Sequence, residues 1–388
     1  MRTLVTLRSA MAAAALAGGL LTIACQPIPP ERDPFTITDR SDLGLPILDF
    51  QWKFMMSDRM NEPKPQEFAG VAMYGRMLIS GSAGGDVYSL SSDDGSVNWR
   101  VPVGSTSSRP VIDVLRGRVY LGTDDGSMVC LRAVDGSEVW RYSTRGPILR
   151  EPVLADGVLV FSNEADQVYA LDAATGKFRW QYKGETPEEY TLRGHAGVAV
   201  ADGMVFAGFA SGAMVALRLN TGSVAWLTSL KGDAERFVDV DGTPVVSGDR
   251  VFVSSSGGGV YGLDRATGLV RWRRPMTGAG SLTVDGNRLF VAAANLGMYA
   301  LDRGGNIIWR QGTKGGGEPA PPVVSGSYVI YGLSEDGMFI ADKRTGRVYQ
   351  FFNPGDGISS APTLEATGDR LYILSNRGIL YALNVSRF

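Results

Sequence analysis

Short apolar runs alternate with turn residues along this chain, and one thirteen-residue combination of the two keeps returning. At Val168 to Trp180 it reads Val-Tyr-Ala-Leu-Asp-Ala-Ala-Thr-Gly-Lys-Phe-Arg-Trp. Val168 to Leu171 is a β-type run, Asp172 to Gly176 a turn, and Lys177 to Trp180 the start of a second run. The pattern predicts a β-hairpin, with Gly176 where the turn needs positive φ. Further copies run from Val87 to Trp99, Met128 to Trp140, Met214 to Trp226, Val260 to Trp272 and, one residue shorter, Met298 to Trp309. The copy from Met338 to Gln350 keeps Thr345-Gly346 but puts Gln350 where the others have tryptophan.

Between Trp99, Trp140, Trp180, Trp226, Trp272 and Trp309 the spacings are 41, 40, 46, 46 and 37 residues. Repeats of about 40 to 45 residues with four strands each predict a β-propeller, not a helical solenoid. In the third repeat the strands are expected at Glu151 to Ala155, at Val158 to Ser162, and in the hairpin from Gln167 to Gln181. Both faces of such a blade pack on neighbours, so its strands need not alternate strictly. Leu48 to Lys53 resembles the last strand of a repeat with no hairpin before it, and Ile379 to Asn384 resembles a third strand after which the chain stops. Pairing the two completes one further blade and removes the open edges. The expectation is all-β: an eight-bladed propeller of four-stranded antiparallel blades, closed by its N- and C-terminal strands. Trp52, Trp99, Trp140, Trp180, Trp226, Trp272 and Trp309 then hold one equivalent place, packed between blades.

Composition agrees with a turn-rich β chain. There are 50 glycines in 388 residues, and a formal charge of −2 without a basic block points away from nucleic acid. Residues 1–25 read differently. Arg2 and Arg8 precede a short apolar run from Met11 to Ile23, which is a processing signal too short for a membrane span. Its end, Leu-Leu-Thr-Ile-Ala-Cys, resembles a bacterial lipobox, with Thr22 in place of the usual Leu or Val. That resemblance implies lipidation of Cys25. The alternative is an ordinary secretory signal in which Cys25 is incidental. Residues 26–47 carry Pro27, Pro29, Pro30 and Pro34 and read as an extended tether to a propeller over 48–388. By the same resemblance, the absence of Asp after Cys25 favours an outer-membrane anchor facing the periplasm. Only Cys130 remains beyond it, so no internal disulfide forms, and Cys130 stands where other repeats have Ala170, Ala216, Gly262 and Ala300. It is expected to be a small buried residue.

The frame Ala170-x-Asp172-x-x-Thr175-Gly176-x-x-x-Trp180 is similar to the tryptophan-docking repeat of PQQ-type propellers. Two groups share it: PQQ-dependent dehydrogenases, and the BamB lipoproteins of the outer-membrane β-barrel assembly machinery. Two segments resemble the second group. They are Tyr190-Thr191-Leu192-Arg193-Gly194 and Asp239-Val240-Asp241-Gly242-Thr243-Pro244-Val245-Val246, each in a lengthened connection. The resemblance implies a patch of Tyr190, Leu192, Arg193, Asp239 and Asp241 that grips the POTRA domains of BamA. In an extended segment residues two apart share a face, so Tyr190 with Leu192, and Asp239 with Asp241, would each act together. Arg193 suits bidentate pairing with carboxylates.

The competing chemistries are thinner. PQQ dehydrogenases carry adjacent cysteines and a calcium-ligand set with a catalytic Asp, and no Cys-Cys pair occurs here. Asp239-x-Asp241-Gly fails as an EF-hand loop, because glycine falls fourth and Arg250 twelfth. His195 is the single histidine, so a metal or nucleophile site has one candidate, in a loop. The expected function is therefore a non-catalytic scaffold without cofactor. Its partners would be BamA, the assembly machinery and unfolded outer-membrane β-barrel proteins, the last through strand addition at a blade edge. A PQQ-binding propeller, or one with another envelope partner, stays as the alternative.

Overall fold

The computed structural model describes residues 47–59, 61–185, 196–231, 239–255, 257–294, 296–312 and 317–386. Within them are eight four-stranded antiparallel sheets, as the repeat predicted. The third blade shows how the sequence builds one. Its strands are Val153–Ala155, Val158–Asn163, Gln167–Asp172 and Phe178–Lys183, paired in that order. The innermost strand begins at Val153, not at Glu151, and Pro152 just before it has no N–H to give a ladder. The second strand is buried throughout, whereas of the outermost one only Trp180 is fully buried. Innermost strands of neighbouring blades touch around a ring, which the Thr363 hydroxyl completes by donating to the Val71 carbonyl at 2.9 Å.

Closure follows the expected route. Leu48–Met55 pairs antiparallel with Ile379–Val385, Leu48 opposite Val385 and Met55 opposite Ile379, and becomes the outer strand of the eighth blade. Each tryptophan faces a small residue on the adjacent strand: Trp180 faces Ala170, Trp226 faces Ala216, Trp272 faces Gly262, Trp140 faces Cys130 and, across the closure, Trp52 faces Ala382. The register slips directly after that pair in the hairpins, a bulge that twists the outer strand and aims the ring off its own sheet. Cys130 is fully buried, and desolvation pushes its thiol up to about 12, the setting of a packing residue.

The ring lands on the next blade. Every indole N–H donates to a carbonyl in the following hairpin turn, from Trp52 on Ser92 to Trp309 on Lys343, at 2.7–3.2 Å. The same ring covers that turn's glycine. A Cβ on Gly95, Gly136, Gly176, Gly222, Gly268, Gly305 or Gly346 would lie 2.5–2.7 Å from it. Gly176 is thus required twice, by its φ of 70° and by Trp140 pressed on it.

Gln350 is explained by the closure. The eighth blade's outer pair is made from the two chain ends, so it has no hairpin turn to receive an indole. Instead, Gln350 Oε1 accepts from the Ile47 and Leu48 amides at 2.5 and 2.8 Å and fixes the start of the closing strand.

Candidate docking face

Strand direction sorts the loops onto two ends of the propeller. Hairpin turns such as Ala173–Gly176 lie at one end with the turns joining first and second strands. The connections between blades lie at the other, with the turns joining second and third strands. Both segments singled out in the sequence belong to blade connections, between Lys183 and Val198 and between Ser229 and Val245, so their described flanks share one end. Tyr190, Leu192, Arg193 and His195 lie outside the described residues, as does Cys25.

The flanks are tightly placed. Gly184 donates to the Asp166 carbonyl at 2.8 Å, and Phe209 packs where a Cβ would otherwise stand. On the far side of the loop the Ser162 hydroxyl donates to the Ala196 carbonyl at 2.8 Å. The next residue joins the two connections directly, since the Gly197 amide donates to Thr243 Oγ1 at 3.1 Å. The structure therefore brings the second segment beside the exit of the first.

That second segment departs from expectation in two ways. It is not a strand over Asp239 to Pro244; the strand is Val245–Ser247, starting after Pro244, which cannot donate to a ladder. Nor are the two carboxylates presented equally. Asp239 is buried at 5% exposure, while Asp241 is half-buried. Val240 between them is anchored inward. Its amide donates to the Phe209 carbonyl at 3.2 Å, and its side chain fills the space over Gly208, where a Cβ would come within 2.3 Å of it. Val240 belongs to a core cluster with Phe206, Leu230 and Val253. The device recurs: Ile148 over Gly122 and Ile358 over Gly332 make the same amide bond, to Thr123 and Leu333. A glycine closing the second strand, as in Leu121-Gly122 and Tyr331-Gly332, was the signal for it in the sequence.

Arg109 donates to the Val71 carbonyl at 2.9 Å. Glu151, open to solvent yet ringed by protein, has its carboxyl pushed up by desolvation against the pull of Arg109. Glu67 is the strongest case, 1% exposed, with burial raising its carboxyl to about 7 against amide bonds from Ala83 and Ala69. Among the described residues no three His, Cys, Asp or Glu converge as a metal site would need.

Fold and face together define an eight-bladed propeller of the tryptophan-docked repeat class, with an elaborated end made by its blade connections. The family model described as "Outer membrane protein assembly factor BamB" matches residues 83–303 and 256–387, and the chain belongs to that family. Similar curated proteins carry the same description. One from Burkholderia pseudomallei is 27% identical over 360 residues, 87% of this chain and 88% of the relative. One from Shewanella oneidensis is 27% identical over 276 residues, 69% of each. The crystal structure of BamB from Moraxella catarrhalis superposes with a TM-score of 0.75 at 21% identity, over 87% of this chain and 100% of that one, which is a likeness of fold.

Proposed function

We propose that the protein is a non-catalytic subunit of the outer-membrane β-barrel assembly machinery, docking through its blade-connection end on the POTRA domains of BamA. The observation that carries this reading is the Gly197–Thr243 hydrogen bond. It ties Thr243, two residues from Asp241, to the exit of the connection that contains Tyr190, Leu192 and Arg193, which supports a reading in which one surface offers an apolar pair, a guanidinium and a carboxylate. A compact cluster of an aromatic, an aliphatic and an arginine is what interface hot spots favour. Family membership supports the assignment to barrel assembly, since the curated relatives are named for that role. Asp239, being buried, would shape the segment while Asp241 reaches a partner.

The rest of the reading follows. Residues 1–25 are a signal ending at a lipidated Cys25, residues 26–47 a tether, and 48–388 the propeller, held on the periplasmic side of the outer membrane. Unfolded barrel strands would add along exposed outer strands such as Val224–Ser229 and Ile307–Gln311, where Val224, Leu227, Ile307 and Ile308 are exposed apolar residues on open edges.

The test is co-purification from detergent-solubilised envelopes of tagged wild type, Arg193→Glu and Asp241→Lys. BamA should accompany the wild type and fall at least tenfold with either folded variant. Equal recovery of BamA with all three would remove the patch, and its absence from the wild type would remove the docking.

A further inference from the structure

The hairpin end of the propeller carries an apolar protrusion that the blade-connection end does not explain. In six blades the turn between first and second strands is two residues long, as at Asp156–Gly157 and Asp202–Gly203. In the second blade it is four, Val114-Leu115-Arg116-Gly117, between Val111–Asp113 and Arg118–Gly122. The extra residues are apolar, and Leu115 is 95% exposed with Val114 at 64%. They are not slack. Asp113, itself buried, accepts the Arg116 amide at 3.1 Å and its guanidinium at 2.9 Å, and Gly117 turns the chain at a φ of 61°. A charged group is buried to hold two apolar side chains out in water.

The neighbouring hairpin turn repeats the choice. The Ala133 amide donates to the Gly117 carbonyl at 2.9 Å, joining the two turns, and the next residue is Val134, 64% exposed. The other hairpins place Asp93, Ala174, Asn220, Ala266 and Arg344 there. Around the three apolar residues stand Arg116, Arg118 and Arg132. Arg116 and Arg132 keep their own carboxylates, Asp113 and Asp135, at 2.9 and 3.0 Å.

This is also the end at which the chain joins the propeller. Leu48 pairs with Val385, the Ser386 amide donates to the Ile47 carbonyl at 2.7 Å, and the Val385 amide donates to Asp369 in the eighth blade's corresponding turn. Between Ile47 and Cys25 lie the 21 residues 26–46. An extended Pro-rich tether of that length reaches at most roughly 65 Å, and it leaves the propeller from this end, so of the two ends this is the one a lipid on Cys25 would hold toward the bilayer.

We propose that Val114, Leu115 and Val134 form a shallow insertion knob that enters the membrane surface to which Cys25 is anchored, with Arg116, Arg118 and Arg132 lying among the phosphate headgroups. The proposal rests on the lipid-anchor reading of Cys25. The knob supplies apolar burial at the headgroup boundary, and arginine stems lie along such a boundary with their charged ends in the headgroups. Three side chains alone bind weakly; the anchor makes their insertion intramolecular, so a weak contact is occupied. Because the flanking arginines are largely charge-balanced, apolar insertion and not salt-sensitive attraction carries the contact.

The experiment uses the full lipidated protein in phosphatidylethanolamine–phosphatidylglycerol vesicles containing doxyl-labelled lipid. An environment-sensitive fluorophore is placed at Leu115→Cys or Val134→Cys, with Lys64→Cys at the opposite end as control, and mass spectrometry reads acylation of Cys25. The expected result is strong doxyl quenching at positions 115 and 134, little at 64, and a loss of several-fold at 134 when Leu115→Asp is added, with unchanged thermal unfolding. Acylated protein with equal quenching at all three positions overturns the knob and leaves the anchor. Cys25 found without lipid overturns the anchor reading, and the knob with it. A label at 115 shielded only when another envelope protein is present, and not by lipid alone, overturns the proposal in favour of a protein interface.

Discussion

At the residue scale the molecule is held by pairs formed one repeat apart. Trp226 is buried against Phe206 in its own blade, donates to Arg265 and covers Gly268 of the next. Trp226→Ala removes all three contacts and should cost about 3–5 kcal/mol. Gln350→Trp should not add an eighth such link, because no turn awaits it. The variant would strip the Ile47 and Leu48 amides of their acceptor and lower stability by about 1–3 kcal/mol. Urea midpoints of both variants check this, and a raised midpoint for Gln350→Trp would refute the explanation of that position. Glu67 gives a pH signature. Its carboxyl stands at about 7 in the folded protein against 4.5 unperturbed, through burial, with Arg59 at 4.0 Å opposing and Asp124 reinforcing the rise. The folded state therefore binds this proton more tightly than the unfolded one. The stabilisation is complete below about pH 4.5, is lost as pH rises to 7, and leaves a constant penalty above. Wild type should lose up to about 3 kcal/mol relative to Glu67→Gln across that window, read from urea unfolding of the two proteins at stepped pH.

At the element scale the blade was legible because it is repeated. Alternation from Val168 to Trp180 located the hairpin, and the recurring tryptophan counted the blades, with Trp52 and Tyr381 revealing the shared one. What stayed hidden depended on contacts between elements. The need for positive φ at Gly176 is local, but Trp140 pressing on it comes from 36 residues earlier. The resemblance singled out Asp239 to Pro244 and the extended-segment rule put its two carboxylates on one side, but burial separates them, and the strand starts only after Pro244. The closing strand allows a direct test. Deleting residues 47–55 would leave Ile379–Val385 as an open edge and uncover Gly95, on which Trp52 sits. Light scattering should then report association at concentrations where wild type is monodisperse, and a synthetic peptide of residues 47–57 should suppress it. A truncated chain that stays monomeric with an unchanged melting temperature would show that closure contributes little.

At the scale of the whole molecule, the parity of a four-stranded blade puts its hairpin turns and its blade connections at opposite ends, and the two proposals divide their work accordingly. Blade connections can lengthen without disturbing a hairpin, and the Gly197–Thr243 bond gathers two lengthened ones at one end. The chain joins the propeller at the other end, where Leu115 projects. If the proposed lipid anchor holds the chain from that end, the connections would be free to meet the proposed POTRA partner. Such a division requires energetic independence, since substitutions far apart with no shared partners add. Arg193→Glu should abolish co-purification of BamA while leaving lipid quenching at position 115 as in wild type. Leu115→Asp should reduce membrane contact, read as quenching at position 134, while BamA recovery from detergent is unchanged. The double variant should show each loss at its single-variant size. Loss of quenching at 115 in Arg193→Glu would mean that the partner, not the lipid, holds the hairpin end at the membrane, and the two ends would then form one site.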